Sequence, residues 1–222
     1  MPTQALLTTS ELNEINHKVI SSLDELTLKT LQKNTEELIK SKIAEQALKE
    51  GDKVKNFALT NSKNEEIKFT DLLSKNKPIV MTFYRGNWCP YCNAELRGFQ
   101  RELPEMKALG AEVIAISPQK PVMSLEMQEQ HQLDFDVLSD VGNLVAKDFG
   151  LVFKLDAELL DLYNNKFQVK LCEYNGNEAV DELPIPATYI ISEEGEILKA
   201  SINPDYSKRF DPEAIVEFLE TL

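Results

Sequence analysis

Ile79-Val80-Met81-Thr82-Phe83-Tyr84-Arg85-Gly86-Asn87-Trp88-Cys89-Pro90-Tyr91-Cys92 is the stretch whose reading decides the fold. Its first six residues form a short, β-rich apolar run of the kind buried at the centre of a sheet. The run ends at Arg85-Gly86-Asn87-Trp88, and a helix is expected from about Cys89. Pro90 suits the first turn, where its missing N–H would be unpaired in any case. Pro104 is expected to kink or divide that helix.

Downstream, Glu112 to Ile116 reads as the next strand, Pro121 to Gln130 as a helix, Phe135 to Leu138 as a short strand and Asn143 to Phe149 as a helix closed by Gly150. This alternation implies an α/β sheet with right-handed crossovers. Leu151 to Leu183 reads as an insertion, with a helix around Ala157 to Tyr163 and a turn at Asn175-Gly176-Asn177. Ala187 to Ala200 is a hairpin turning at Glu193-Glu194-Gly195, and Asp211-Pro212 caps and opens a last helix. Upstream, Val54 to Leu59 is an extended lead-in, Asn61 to Asn64 a turn, and Thr70 the expected cap of a short helix.

The first fifty residues hold no glycine, no aromatic residue and no proline after Pro2. Leu12, Ile15, Val19, Ile20 and Leu23 repeat at helical spacing, as do Leu31, Leu38, Ile39, Ile43 and Ala47. Two amphipathic helices are expected, stopped by Gly51. Their apolar stripes are assigned to packing on their own domain, with a homodimer surface as the alternative. The chain thus divides into a helical extension, 1–50, and a domain, 51–222, carrying the insertion at about 151–183.

With 222 residues and ordinary apolar and charged fractions, the chain can bury one substantial core. A net charge of −13 opposes binding to nucleic acid or to anionic lipid. No stretch reaches the ~20 apolar residues of a membrane helix. The N-terminus lacks a basic start followed by an apolar run, so a cytoplasmic location is expected. Three cysteines are too few for a disulfide framework.

Chemistry therefore centres on Cys89 and Cys92. Three residues apart at a helix start, they lie on one side of the first turn, close enough for a disulfide. Unpaired N–H groups and the positive end of the helix dipole favour thiolate, lowering such pKa values from about 8.5 to between roughly 3.5 and 7.5. Arg85 adds a cationic field. A zinc site would need a second ligand pair, but His17, His131 and Cys172 each stand alone, so no metal is expected. Cys172 is read as a small buried filler, with a second resolving thiol as the alternative. Trp88 and Tyr91 either wall the site or simply pack. Glu95, one turn beyond Cys92, either moves protons or is solvated.

The segment Phe83 to Leu96 resembles the active-site segment of the alkyl hydroperoxide reductase/thiol-specific antioxidant group, the peroxiredoxins. More narrowly, it resembles the peroxiredoxin-like subgroup with a WCPxC motif. The similarity runs from Gly51-Asp52 through Ala115-Ile116-Ser117-Pro118-Gln119, Leu138-Ser139-Asp140 and Leu183 to Tyr189, and on to Asn203-Pro204-Asp205-Tyr206. It implies a thioredoxin-like α/β fold, a central mixed sheet flanked by helices. The family's Pro-x-x-x-Thr-x-x-Cys pattern puts its cysteine on Cys92, its proline on Arg85 and its threonine on Cys89. The arginine that the family uses before the late strand falls on Pro186. Three of the four usual peroxide-activating positions are therefore changed.

The resemblance implies a thiol peroxidase that needs neither metal nor flavin. Cys92 attacks the peroxide, Cys89 condenses with the resulting sulfenic acid, and a thioredoxin-type dithiol restores the pair. A second reading is a thiol-disulfide oxidoreductase or redox sensor, with Cys89 the exposed attacking thiol, Cys92 the buried one and Pro186 a cis proline facing them. A third is a non-catalytic binding or cluster-bridging dimer.

Overall fold

A computed structural model describes residues 5–75, 77–178 and 180–222. The extension contains helices Ala5–Ser22 (α1), Glu25–Lys40 (α2) and Ile43–Gln46 (α3). The second expected helix is thus split, because Lys42 adopts a left-handed φ of 57°. Gly51 is not the helix stop, since α3 already ends at Gln46. Asp24 caps α2 by accepting the Thr27 N–H at 2.9 Å.

Ala58–Asn61 (β1) and Glu66–Lys68 (β2) come next, then Phe69–Leu73 (α4). Thr70 is inside α4 rather than its cap; Lys68 holds that position without a side-chain bond. Ile79–Phe83 (β3), Pro90–Ala108 (α5), Glu112–Ser117 (β4), Pro121–His131 (α6), Asp136–Ser139 (β5) and Leu144–Asp148 (α7) follow the expected alternation. Pro104 does not divide α5. It lies on the exposed side, where the Gln100 carbonyl it deprives of a partner can turn to water.

The insertion is bracketed by Val152–Lys154 (β6) and Glu182–Pro184 (β7), which pair antiparallel. Between them lie Ala157–Asp161 (α8), a wide π-type turn at Leu162–Lys166 and Leu171–Asn175 (α9). Ala187–Ile191 (β8), Ile197–Ile202 (β9) and Pro212–Leu219 (α10) complete the chain. Asp211 caps α10 on the Glu213 N–H at 3.2 Å.

The central sheet has seven strands in the order β2-β1-β5-β4-β3-β8-β9. β3, β4 and β5 are mutually parallel, while β1 and β8 join them antiparallel. β3 is buried at every position, as its continuous apolar run requires. Alternation assigns Ile79, Met81 and Phe83 to one face and Val80 and Tyr84 to the other. The first face carries a ring cluster in which Phe149 lies 4.8 Å from Phe83 and 5.0 Å from Tyr189. The second face packs on α5 and α10, with Leu12, Ile15 and Val19 of α1 against it.

The extension therefore buries part of its apolar stripe on its own chain. Glu11 pairs with Arg97 and Arg101 of α5, Asp24 pairs with Lys166 of the insertion, and the Thr30 hydroxyl donates to Glu158 at 2.8 Å. Gly150, at φ 73°, passes against this layer; a Cβ there would lie 2.8 Å from the Gln46 carbonyl oxygen.

Phe149→Ala would empty the middle of the ring cluster. A loss of about 3–5 kcal/mol is expected, read as a fall in the urea midpoint at unchanged slope.

Candidate active site

The loop from β3 to α5 turns sharply, and its geometry follows from close approach. A Cβ on Gly86 would sit 2.4 Å from Trp88 Nε1, so the indole can fold back only over a glycine. Asn87 pins the loop: its N–H donates to Gln119 Oε1 at 2.8 Å, and its side-chain oxygen accepts from Gln119 Nε2 at 2.8 Å. Cys89 is then the N-cap of α5, with Pro90 at the first helical position. The thiol accordingly sits at the positive end of a nineteen-residue helix.

Cys89 and Cys92 are both free and fully buried. Arg85 is 6% exposed and spans the space beside them. Its Nη2 donates to Cys89 Sγ at 3.1 Å and its Nη1 to the Tyr163 hydroxyl at 2.9 Å. The guanidinium also lies over the rings of Tyr206, at 4.3 Å, and Trp88, at 5.4 Å. On the other side of the pair, Arg209 Nη2 reaches Cys92 Sγ at 3.4 Å while its Nε donates to Glu95 at 2.8 Å. The side chains of that ion pair are 1% and 2% exposed.

These contacts separate the two thiols. Burial pushes the Cys89 thiol up, but a hydrogen bond from Cys92, the charges of Arg85 and Arg209 and the hydrogen bond from Arg85 hold it well below its ordinary value. Cys92 goes the other way: burial, the bond it gives to Cys89 and the Cys89 charge raise it well above. The surroundings thus favour Cys89 over Cys92 as the seat of negative charge in a pair that titrates as a unit. Burial lifts Glu95 to about 7 against the pull of Arg209.

A cavity of ≈ 280 Å³ opens beside Arg85. Its walls come from the extension (Val19, Leu31), the CxxC loop (Trp88, Pro90) and the insertion (Tyr163, Phe167). Its lining is mostly apolar, with Arg85 as the charged group.

The structure brings together Arg85, Trp88, Cys89, Pro90, Tyr91, Cys92 and Glu95. Tyr91 donates to Asn16 Oδ1 of α1 at 3.0 Å, tying the extension to the motif. Glu95 is not solvated but buried on Arg209. Pro186 lies between β7 and β8 in a trans peptide, the isomer an X–Pro bond favours by about 0.5–1 kcal/mol, and not in the cis form of the oxidoreductase reading. Cys89 is not the exposed thiol of the oxidoreductase reading, and Cys172 is exposed on α9 rather than a buried filler. Among the described residues, no group of three or more His, Cys, Asp or Glu side chains is arranged to hold a metal. Nor is any helix long and apolar enough to cross a membrane.

Sequence reasoning missed Arg209, Tyr163 and Tyr206. Arg209 left one faint signal: it is one of only four arginines, in a loop with no other evident task.

A mixed sheet flanked by helices, with a cysteine pair opening the helix after its central strand, defines a thioredoxin-fold protein of the peroxiredoxin type. The AhpC/TSA family profile matches residues 50–200, and the chain belongs to that family. Rice (Oryza sativa subsp. japonica) chloroplastic peroxiredoxin Q is 30% identical over 132 residues, covering 53% of this chain and 60% of its own. Escherichia coli (strain K12) peroxiredoxin Bcp is 30% identical over 104 residues, covering 47% and 65%. The chain thus spans less than two thirds of either relative. Among solved structures, Mycobacterium tuberculosis peroxidoxin BcpB superposes with a TM-score of 0.61 at 21% identity, covering 79% of this chain and 98% of its own. The Xanthomonas campestris bacterioferritin comigratory protein, solved for insight into its alkyl peroxide reduction activity, gives 0.56 at 17% identity, with 74% and 90% covered. At these identities the two structures speak to the fold.

Cys89 is expected to alkylate with iodoacetamide at a rate already level by pH 7, where an ordinary thiol with a pKa of about 8.5 is still gaining thiolate. In Arg85→Met the profile should move to higher pH, because the cation that favours the charged form is gone. Rate against pH, with the modified site read by peptide mass, checks both.

Proposed function

We propose that this protein is a thiol-dependent peroxidase acting on hydrogen peroxide or an organic hydroperoxide, with Cys89 attacking and Cys92 resolving. The observation that carries this reading is the contact of Arg85 with the Cys89 sulfur, 3.1 Å apart, beside a cavity of small-molecule size. Membership of the AhpC/TSA family and the names of the relatives support the reaction class. The Cys89 thiolate attacks the terminal peroxide oxygen, the O–O bond breaks, and the sulfur becomes a sulfenic acid as the other oxygen leaves and takes a proton. Cys92 then attacks that sulfur. A disulfide forms, hydroxide leaves, and the Cys92 proton neutralises it to water.

Both sulfurs are 0% exposed, so a peroxide arrives only when a cavity wall such as Trp88 gives way. A folded disulfide substrate is disfavoured by the same burial, and so is a cluster bridged between two chains. Recycling by a thioredoxin-type dithiol, two electrons and two protons per disulfide, needs the pair uncovered. Oxidation supplies a reason for it to open, because disulfide formation removes the anion that compensates buried Arg85. The cytoplasm, a reducing compartment, suits a free pair of this kind.

The contact of Arg209 with Cys92 at 3.4 Å favours a second assignment, with the attack at Cys92 as in the family pattern. One experiment separates the two. Reduced wild type, Cys89→Ser and Cys92→Ser are mixed with stoichiometric hydrogen peroxide, and thiol loss and intact mass are followed. Oxidation far faster than a free thiol, abolished in Cys89→Ser and halted at sulfenic acid in Cys92→Ser, is expected. The mirror result assigns the attack to Cys92, and a rate no better than a free thiol sinks the peroxidase.

A further inference from the structure

Tyr163 belongs to the insertion, a segment with no motif of its own, yet its hydroxyl stands at the guanidinium that holds the reactive sulfur. We propose that Tyr163 is the acid that protonates the oxygen leaving the peroxide, and so is a catalytic residue contributed by the insertion. The proposal rests on the peroxidase reading with Cys89 as nucleophile.

Arg85 gives Nη2 to Cys89 and Nη1 to Tyr163. The sulfur and the phenol oxygen are therefore both bonded to one planar group, through its two terminal nitrogens. A peroxide that enters the cavity to meet the sulfur comes against a wall that Tyr163 and Arg85 share, so the phenol is at hand for its second oxygen. The Tyr163 oxygen accepts from Arg85, and among the described residues its own proton has no acceptor. A phenol already accepting from a cation is a better donor, since the cation draws electron density from its O–H. The ring is held in place, edge-on to Trp88 at 5.3 Å and to Phe167 at 5.8 Å. It lines the cavity with Arg85. It sits in a π-type turn, a distortion frequent at functional sites.

The balance is simple. The thiolate electron pair forms the S–O bond, and the O–O pair leaves on the second oxygen. That oxygen takes the Tyr163 proton and departs as water or alcohol. The phenolate left against Arg85 regains its proton from solvent. Burial raises the Tyr163 phenol to about 12, so it is fully protonated at neutral pH. It is still a stronger acid than water at about 15.7, so the transfer to a leaving hydroxide runs downhill. The threonine hydroxyl of the family pattern is absent because Cys89 stands there, and Tyr163 supplies a hydroxyl from another part of the chain.

Tyr163→Phe tests this with three reagents, each followed by stopped-flow fluorescence of Trp88, the only tryptophan, or by thiol loss. Hydrogen peroxide needs its leaving oxygen protonated. Peracetic acid releases acetate, which does not. Iodoacetamide reports the Cys89 thiolate alone. The expected result is a fall of about 100-fold with hydrogen peroxide and no comparable fall with the other two. An unchanged rate with hydrogen peroxide, or an equal loss with all three reagents, overturns the proposal. The second of these outcomes would mark Tyr163 as a support of Arg85 only. A wild type no faster than a free thiol removes the peroxidase reading and the role of Tyr163 with it, a result distinct from a fast wild type matched by a fast variant.

Discussion

A buried guanidinium must have an anion, and that requirement organises this molecule. Arg85 is almost without solvent, and its neighbours are a sulfur, a phenol and two aromatic faces. Among the described residues in direct contact with it, Cys89 is the group whose acidity is raised. Desolvating either charge alone costs several kcal/mol, so each is tolerable only with the other. A charge on the Cys89 sulfur thus serves the structure by compensating Arg85. The same contact gathers four distant pieces of chain: the end of β3, the start of α5, the insertion through Tyr163 and the C-terminal loop through Tyr206.

The second arginine completes the electrostatics without duplicating them. Arg209 divides its contacts between Glu95 and Cys92, whereas Arg85 gives Cys89 the shorter bond, 3.1 Å against 3.4 Å. Two equally placed thiols would share one proton with no preference. Here an arginine bonded to a carboxyl group on one side and an arginine bonded to a phenol on the other break that symmetry. The acidic exterior does not oppose this. A net charge of −13 is spread over solvated side chains and screened within about 10 Å, whereas the two guanidinium groups act at contact distance.

Local patterns were legible in the sequence, and long-range ones were not. β3, α5, the β8–β9 hairpin and α10 were readable because an apolar run, a proline at a helix start or a turn triplet marks each within a few residues. β2, β6 and β7 are three residues long, too short for a period to show, and they exist because a neighbouring strand offers bonds. Lys42 split a helix through a left-handed φ that no glycine announced. Cys89, Cys92, Arg85 and Glu95 could be named because they share one turn and its approach. Tyr163 and Arg209 could not, since they meet the motif from 78 and 117 positions away. Even Glu95 was ambiguous alone, because its burial depends on a partner in another loop.

The departures from the family pattern are connected. Replacing the pattern's threonine by Cys89 puts a sulfur at the helix N-cap, the position most favourable to an anion. Replacing its proline by Arg85 puts the matching cation in the loop between β3 and α5, within bonding distance of that sulfur. The two changes complement each other: Cys89 without Arg85 would be an ordinary buried thiol, and Arg85 without Cys89 a buried unpaired cation. With both in place, a guanidinium before the late strand has no vacancy to fill, and Pro186 can occupy that position with an ordinary trans peptide between β7 and β8. The family architecture is kept, while the cation at the cysteine pair comes from Arg85, which shares a small cavity wall with Pro186, the position matched to the family's arginine.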